Sequence, residues 1–535
     1  MENLSPEIIL LIIESLGEYA YLAEYAVISR QWQAVVESRT FAHIQFDTDK
    51  DLPLFHSAFS QHRRRSILRQ LRVDIRSPVY GFSPNKIGIR QQTYQVDATT
   101  FLQELGSWKQ DPSNPYAFDL DIECWMNCHR DIPPLSDSPS ASAMSSVDPV
   151  PFIRNLSVQI RPGLARHVLA TAERFSALRT LSILFHDDHY NWHRRRRQDR
   201  VDLAEGLLGL RTLQQLEELN VSFERSDPQN QYFVDQNLED SDGVDPLCDA
   251  LRRLGQADGS PLRRLILYNI MVSEDLFRNR RLPKSAEADT ATWPSLEKLD
   301  VSVHKVAPSG RWYYTGNPND VESDSDDGND EDNEGHWSGD DNGDGYEGEE
   351  DNAEDDEEDD EDEDSEMGSN SSGIMEPGYH GADIDGEGDS DDEESVKRIL
   401  APDAPQRDNV RHYFRRRPDP ETFDPLALEF AAAVTRGSMP RLQTAKLTMM
   451  HGGLGQFVVT LWCEEAGRDD PWYSSWFEKR RSDFPEVRRW RYYSEDGLVP
   501  WKPNQEILDE WRKWLGKDGL IFEVVERDIK AVTAG

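Results

Sequence analysis

The chain has 535 residues, a formal net charge of −42 and a hydrophobic fraction of 37%, enough for two to four domains of roughly 100–200 residues each. The charge is concentrated: 37 of the 101 acidic residues and none of the 59 basic ones lie between Asp320 and Val396, which leaves 64 acids against 59 bases elsewhere, so the rest of the chain is close to neutral. Four scattered cysteines, Cys124, Cys128, Cys248 and Cys463, exclude a disulfide framework, and the longest purely apolar run, Ile8 to Ile13, is too short to span a bilayer.

That run is flanked by Glu7 and Glu14 and lacks a basic leader, unlike a signal peptide. The expectation is a soluble intracellular protein, in cytoplasm or nucleus. Ser5 suits an N-cap, Pro6 the first helical position, and Glu7 the positive end of the helix dipole. Ile8, Ile9, Ile12, Ile13 and Leu16 then form one helical stripe, which Leu10 and Leu11 broaden beyond a single face. Gly17 ends this helix. A second helical pattern runs from Leu22 through Ala26, Ile28 and Trp32 to Val35 and Val36. Two short helices with excess apolar surface rarely stand alone; the spacing predicts that they dock on something else.

The order Leu4-Ser5-Pro6-Glu7-Ile8-Ile9, apolar helix to Leu16, then Ile28-Ser29-Arg30-Gln31-Trp32 resembles the F-box. The match departs from the usual pattern at Ser5, where a second proline is common, and over Gly17 to Glu24, which lacks the usual Asp-Leu. It covers under a tenth of the chain; the other reading is an ordinary helical hairpin. The resemblance implies that Leu4, Pro6, Glu7, Ile8, Ile9, Leu16, Ile28 and Trp32 contact an Skp-type adaptor or support the helices that do.

Beyond the helices, short apolar-x-apolar strands recur at Leu71–Val73, Leu120–Ile122, Leu156–Val158, Leu181–Ile183, Leu219–Val221, Leu265–Leu267, Leu299–Val301 and Ala445–Leu447. Several share a leading phrase, as in Leu178-Arg179-Thr180-Leu181, Leu216-Glu217-Glu218-Leu219 and Leu296-Glu297-Lys298-Leu299. A leucine three residues before such a strand resembles the leading half of a leucine-rich repeat. The strands starting at 156, 181, 219, 265 and 299 stand 25, 38, 46 and 34 residues apart, against roughly 20–29 in regular repeats. Amphipathic helices are expected at Gly163–Phe175, Asp202–Leu210 and Asp245–Leu254. A degenerate solenoid and a generic α/β domain both fit, and each predicts a parallel sheet. The combination is similar to fungal F-box proteins with divergent repeats, as is the stretch Phe41–Ile75 with its His62-Arg63-Arg64-Arg65.

Residues 316–396 are too acidic and too poor in apolar side chains to build a core. They are expected to be a disordered insertion that loops out between strands, either a solvating spacer or a partner for basic surfaces such as histones. Within it Asp340, Asn342, Asp344, Gly345 and Asp351 mimic calcium-loop spacing, without the bidentate Glu and flanking helices such a loop needs. The cluster His186-Asp187-Asp188-His189-Tyr190-Asn191-Trp192-His193 offers metal ligands, but its place after a strand and before Arg194–Arg197 reads as an exposed loop. Walker, dinucleotide, nucleophile-elbow and His-Glu-x-x-His patterns are absent from the sequence, so no enzymatic activity, cofactor or metal is expected. Six of the 14 tryptophans lie in the last 64 residues. With strands at Phe457–Trp462 and Leu520–Val525 around a helix at Asn504–Leu515, they read as a cap on the repeats or as a recognition surface.

The sequence therefore predicts an α/β protein: an F-box over 1–45, a leucine-rich-repeat-like region over 46–315, the acidic insertion over 316–396, and a last repeat with an aromatic α+β cap over 397–535. The expected function is substrate recognition for a Skp–cullin–F-box ubiquitin ligase, with a cullin–RING ligase and an unknown protein substrate as partners and neither membrane nor nucleic acid. An acidic scaffold or chaperone for basic proteins is the alternative.

Overall fold

The computed structural model describes residues 4–16, 21–76, 99–109, 116–125, 147–160, 165–186, 193–210, 215–224, 231, 237–256, 259–281, 293–317, 415, 417–435, 439–451, 456–467, 487–494, 501–525 and 528–531. Contacts divide the chain into Met1–Val321 with His412–Gly535, and Glu322–Arg411. The second unit, and with it nearly all of the expected acidic insertion, lies outside the described residues. So do Asp187–Trp192, Trp472 and Trp476.

The first unit is mixed α/β, built on a 13-stranded, mostly parallel sheet whose strands follow chain order. Strands β1 (His43–Asp47), β2 (Gln70–Arg76), β3 (Phe118–Trp125), β4 (Ile153–Ile160), β5 (Thr180–His186), β6 (Glu218–Glu224), β7 (Arg264–Ile270), β8 (Lys298–Val303) and, after a two-stranded interruption, β11 (Thr444–His451) run parallel. β12 (Gln456–Glu464) and β13 (Arg489–Ser494) then pair antiparallel, β14 (Leu520–Val525) pairs parallel to β13, and β15 (Asp528–Ala531) closes the edge antiparallel.

All eight expected strand triplets lie in these strands, and their first residues share one register row. Leu71, Leu120, Leu156, Leu181, Leu219, Leu265, Leu299 and Ala445 stand opposite one another. Each is at most 1% exposed. Two residues on, Val73, Ile122, Val158, Ile183, Val221, Leu267, Val301 and Leu447 form a second buried row. Strand side chains alternate between faces, so both rows point the same way. The leucines that precede the strands, among them Leu68, Leu178, Leu216 and Leu296, are buried in the same core.

Helices cover this apolar face. After the N-terminal α1 (Pro6–Ser15), α2 (Ala23–Ala26) and α3 (Arg30–Thr40) come α4 (Thr48–Ala58), α5 (His62–Ile67), α6 (Ala165–Ala172), α7 (His193–Gly209), α8 (Pro246–Gln256), α9 (Phe423–Thr435) and α10 (Gln505–Leu515). Phe55, Leu169, Leu203, Leu251, Phe430 and Trp511, one from each of six of these helices, belong to a single core cluster that runs from Phe46 to Ile521. Trp490, Trp501 and Trp511 lie inside that core, with Trp490 stacked on Trp511 at 4.8 Å. They fill the space under β13 rather than forming an open surface.

Three local features differ from the sequence reading. The second N-terminal helix is two helices, because Ser29 stops α2 and caps α3: its Oγ accepts the Trp32 N–H at 3.3 Å. Ser5 does occupy the N-cap of α1 with Pro6 following, but its side chain makes no cap bond to the backbone. The helix expected over Asp202–Leu210 begins earlier, at His193, so the run Arg194–Arg197 lies in the first turn of α7. This helix can begin early because its inward arginines find partners. Arg200 donates to Asp245 at 3.0 and 2.6 Å and to the Met271 carbonyl at 2.8 Å, with Asp245 fully buried. Asp275 accepts the Asp245 N–H at 3.0 Å and two bonds from Arg280. Breaking such a buried pair from one side costs about 3–5 kcal/mol.

The described residues on either side of 318–414 pair with each other. Thr315 and Tyr314 in β9 (Tyr314–Thr315) pair antiparallel with Arg417 and Pro418 in β10 (Arg417–Pro418). Arg415 donates to the Tyr314 carbonyl at 3.1 Å, and Asp419 N–H to that of Tyr313 at 2.8 Å.

The leucine row supports a direct prediction. Leu219→Ala, at a position 0% exposed in mid-sheet, is expected to lower unfolding stability by about 3 kcal/mol, read from urea denaturation followed by tryptophan fluorescence.

Candidate functional site

Helices α1 to α3 have a small core of their own. Ile9 and Ile13 of α1 pack on Trp32, Val35 and Val36 of α3, with Leu4, Ile12, Leu22, Tyr25 and Ala26 at the margin. Tyr25 stacks on Trp32 at 6.0 Å, and Gln31 Nε2 donates to the Leu4 carbonyl at 2.7 Å. This core is separate from that of the sheet. Because α1 is apolar on more than one side, filling its inner face leaves apolar residues uncovered.

Among the described residues ten large hydrophobics are exposed, and seven of them sit here: Ile8, Leu10, Leu11, Leu16, Tyr21, Val27 and Ile28. Monomeric proteins seldom expose apolar side chains so densely. Glu7, Glu14 and Glu24 are exposed around them. The Ser5 hydroxyl, hydrogen-bonded to Glu7, holds that carboxyl below its ordinary range.

Of the eight residues assigned to docking from sequence, Pro6, Glu7, Ile8, Leu16 and Ile28 are exposed. Leu4 is half-buried, and Ile9 and Trp32 point into the hairpin's core. Leu10, Leu11, Tyr21 and Val27 join the exposed set; the excess of apolar residues on α1 was their signal.

The hairpin is tied to the sheet edge through a buried carboxylate. Glu37 of α3, 6% exposed, meets Arg64 at 3.0 Å, Arg63 at 3.4 Å and the Gln33 amide at 3.2 Å. Arg64 also lies over the Phe41 ring at 4.7 Å and donates to the Ala58 carbonyl at 3.1 Å. Arg65 lies over Trp108 at 4.8 Å. The arginine run after His62 is thus a joint between α3, α4 and the sheet.

The second candidate surface is the sheet face opposite the helices. At its β1–β3 end stand Asp47, Asp74, Asp119, Asp121 and Glu123 around Arg72. Arg72 pairs with Glu123 and approaches Asp74 at 3.9 Å. Asp119 accepts from Asn155 at 2.7 Å and Asp74 from Gln45 at 3.2 Å. Burial raises the Asp121 carboxyl above its ordinary range; the Ser157 hydroxyl pulls it down, and the charges of Glu123 and Asp74 push it up. At the other end Lys298, Asp300, Lys446, Trp462 and Glu464 line a cleft. Arg489 is buried against Glu464 at 2.7 Å, and Arg491 lies over Trp462 at 5.9 Å.

Cys248, Cys463 and His186 are engaged in the fold. Cys248 and Cys463 are buried, and burial raises both thiols well above their ordinary value. His186 is held by Glu224 at 2.5 Å. Among the described residues no group of three His, Cys, Asp or Glu side chains is placed to hold a metal ion, and no helix is long and apolar enough to cross a membrane. Compared with known proteins, the chain matches no family model and no curated protein.

The raised Asp121 carboxyl has a pH consequence. A carboxyl raised in the folded state holds its proton more tightly there, so ionisation disfavours folding once pH exceeds the ordinary carboxylate range. Asp121→Asn should therefore raise the melting temperature at neutral pH, with the difference vanishing as pH falls below that range.

Proposed function

We propose that this chain is the substrate-recognition adaptor of a Skp–cullin–F-box ubiquitin ligase. The observation that carries the reading is the N-terminal hairpin, which keeps a core of its own yet leaves seven large apolar side chains exposed. That is the form of a surface completed by a partner, here an Skp-type adaptor bound to a cullin–RING ligase. The sequence motif agrees: the Ser-Arg-x-Trp segment caps and anchors α3, while Ile8, Leu16 and Ile28 face outward. In this reading residues 1–45 are the F-box and the sequential parallel strands are degenerate leucine-rich repeats. The protein works by proximity, in cytoplasm or nucleus.

Leu11→Asp, at a position 63% exposed, is expected to abolish co-purification with an Skp-type adaptor while leaving the melting temperature unchanged. Capture that survives both Leu11→Asp and Ile28→Asp removes the hairpin as the docking surface.

The charge count favours one other reading, an acidic scaffold for basic proteins. It requires that deletion of residues 320–396 abolish salt-sensitive binding to a histone probe. Under the adaptor reading the same deletion leaves Skp capture intact, as a pull-down of the deleted chain will report.

A further inference from the structure

Ser5 lies at the foot of the N-terminal hairpin, and docking leaves its chemistry unused. It is exposed, as are Pro6, Glu7 and Ile8 after it. A residue before proline is kept out of the helical region. The φ of −66° and ψ of 153° at Ser5 are accordingly extended, and α1 begins at Pro6. A serine in this N-cap position normally turns its oxygen onto the helix backbone. Here the side chain makes no such bond, and its hydroxyl meets the exposed Glu7 carboxyl instead.

An exposed serine in extended backbone, with proline directly after it, is the acceptor pattern of proline-directed protein kinases. The residues after Pro6 belong to the first turn of α1, and helix ends fray more readily than helix interiors. Among the described residues one other serine precedes a proline. That one, Ser260, is half-buried, and its chain runs straight into the core at Leu262.

We propose that Ser5 is a phosphorylation site for a kinase of this class and that phosphate there releases the hairpin from its partner. In the transfer the Ser5 Oγ attacks the terminal phosphorus of ATP. The bond from that phosphorus to the ADP oxygen breaks, and the hydroxyl proton passes to the kinase's base. The product loses the hydroxyl that meets Glu7 and gains a charge of about −1.5 to −2 beside that carboxylate. Two negative groups then stand at the end of an apolar surface formed by Ile8, Leu10, Leu11 and Leu16, all exposed. A partner covering that surface must strip water from them, which opposes docking. The helix itself does not suffer, because a phosphate at its start faces the positive end of the dipole and the N–H groups of the first turn. The release rests on the adaptor reading; the modification site does not.

The full-length chain is incubated with ATP and a proline-directed kinase, and its N-terminal tryptic peptide, Met1–Arg30, is mapped by tandem mass spectrometry. Phosphate at Ser5 is expected; a Ser5 that stays unmodified overturns the proposal. Capture of an Skp-type adaptor is expected to fall about tenfold on phosphorylation and by a smaller factor in Ser5→Asp. Ser5→Ala treated with the same kinase keeps its capture, and the melting temperature is not lowered in any of these forms. Capture unchanged by phosphate at Ser5, an equal loss in kinase-treated Ser5→Ala, or a melting temperature that falls together with capture overturns the release. An untreated chain that never captures the adaptor removes the ligase reading and the release with it, while the mass spectrum alone decides the site.

Discussion

One register constraint organises the sheet unit: the first apolar residue of every parallel strand stands beside that of the next. From Leu71 to Ala445 this row is continuous across β2–β8 and β11. A slip of one residue would turn a strand's buried pair outward and present its polar residues to the core. Charges at the strand starts favour the same alignment. Arg179 faces Glu217 at 3.1 Å and Arg263 faces Glu297 at 3.6 Å. Such exposed pairs contribute little stability, so the apolar rows carry the register. The polar face inherits its order from this row, so its acidic and basic ends are fixed as firmly as the core.

The hairpin follows a different logic. Its core is too small to cover α1, and its attachment depends on one carboxylate, Glu37, held by Arg63 and Arg64. The hairpin and the sheet edge are thereby joined by an ionic contact at a buried carboxylate. Burying Glu37 without those arginines would leave a costly unpaired charge, so the contact favours one orientation over a loose tether.

Much of the sheet is legible in the sequence because a strand's signature is local: Leu-x-apolar with a leucine three residues earlier is enough. Helix limits are less legible because partners distant in sequence set them. Arg194–Arg197 reads as a solvated run until Asp245 and the Met271 carbonyl are known to anchor Arg200 one turn further on. The break between α2 and α3 was visible in Ser29, a good cap, but apolar periodicity across it suggested one helix. The exposed apolar surface of the hairpin was half legible: the surplus of apolar residues announced it, while Ile9 and Trp32, assigned to contact or to support of the helices, fill the hairpin's own core. Strand alternation places Tyr268 on the face opposite Leu265 and Leu267, although the unbroken apolar run Leu265-Ile266-Leu267-Tyr268 obscures it in the sequence.

The two-residue pairing of β9 with β10 gives the sheet a single doorway. Chain leaving at Thr315 returns at Arg417, hydrogen-bonded partners across one narrow ribbon. The sheet registers only that the chain comes back, not how far it has travelled. In general, doubling the length of chain between two fixed ends adds only about 0.6 kcal/mol of closure entropy. The length and charge of the intervening sequence can therefore change at little cost to the sheet, which fixes only where its two ends stand.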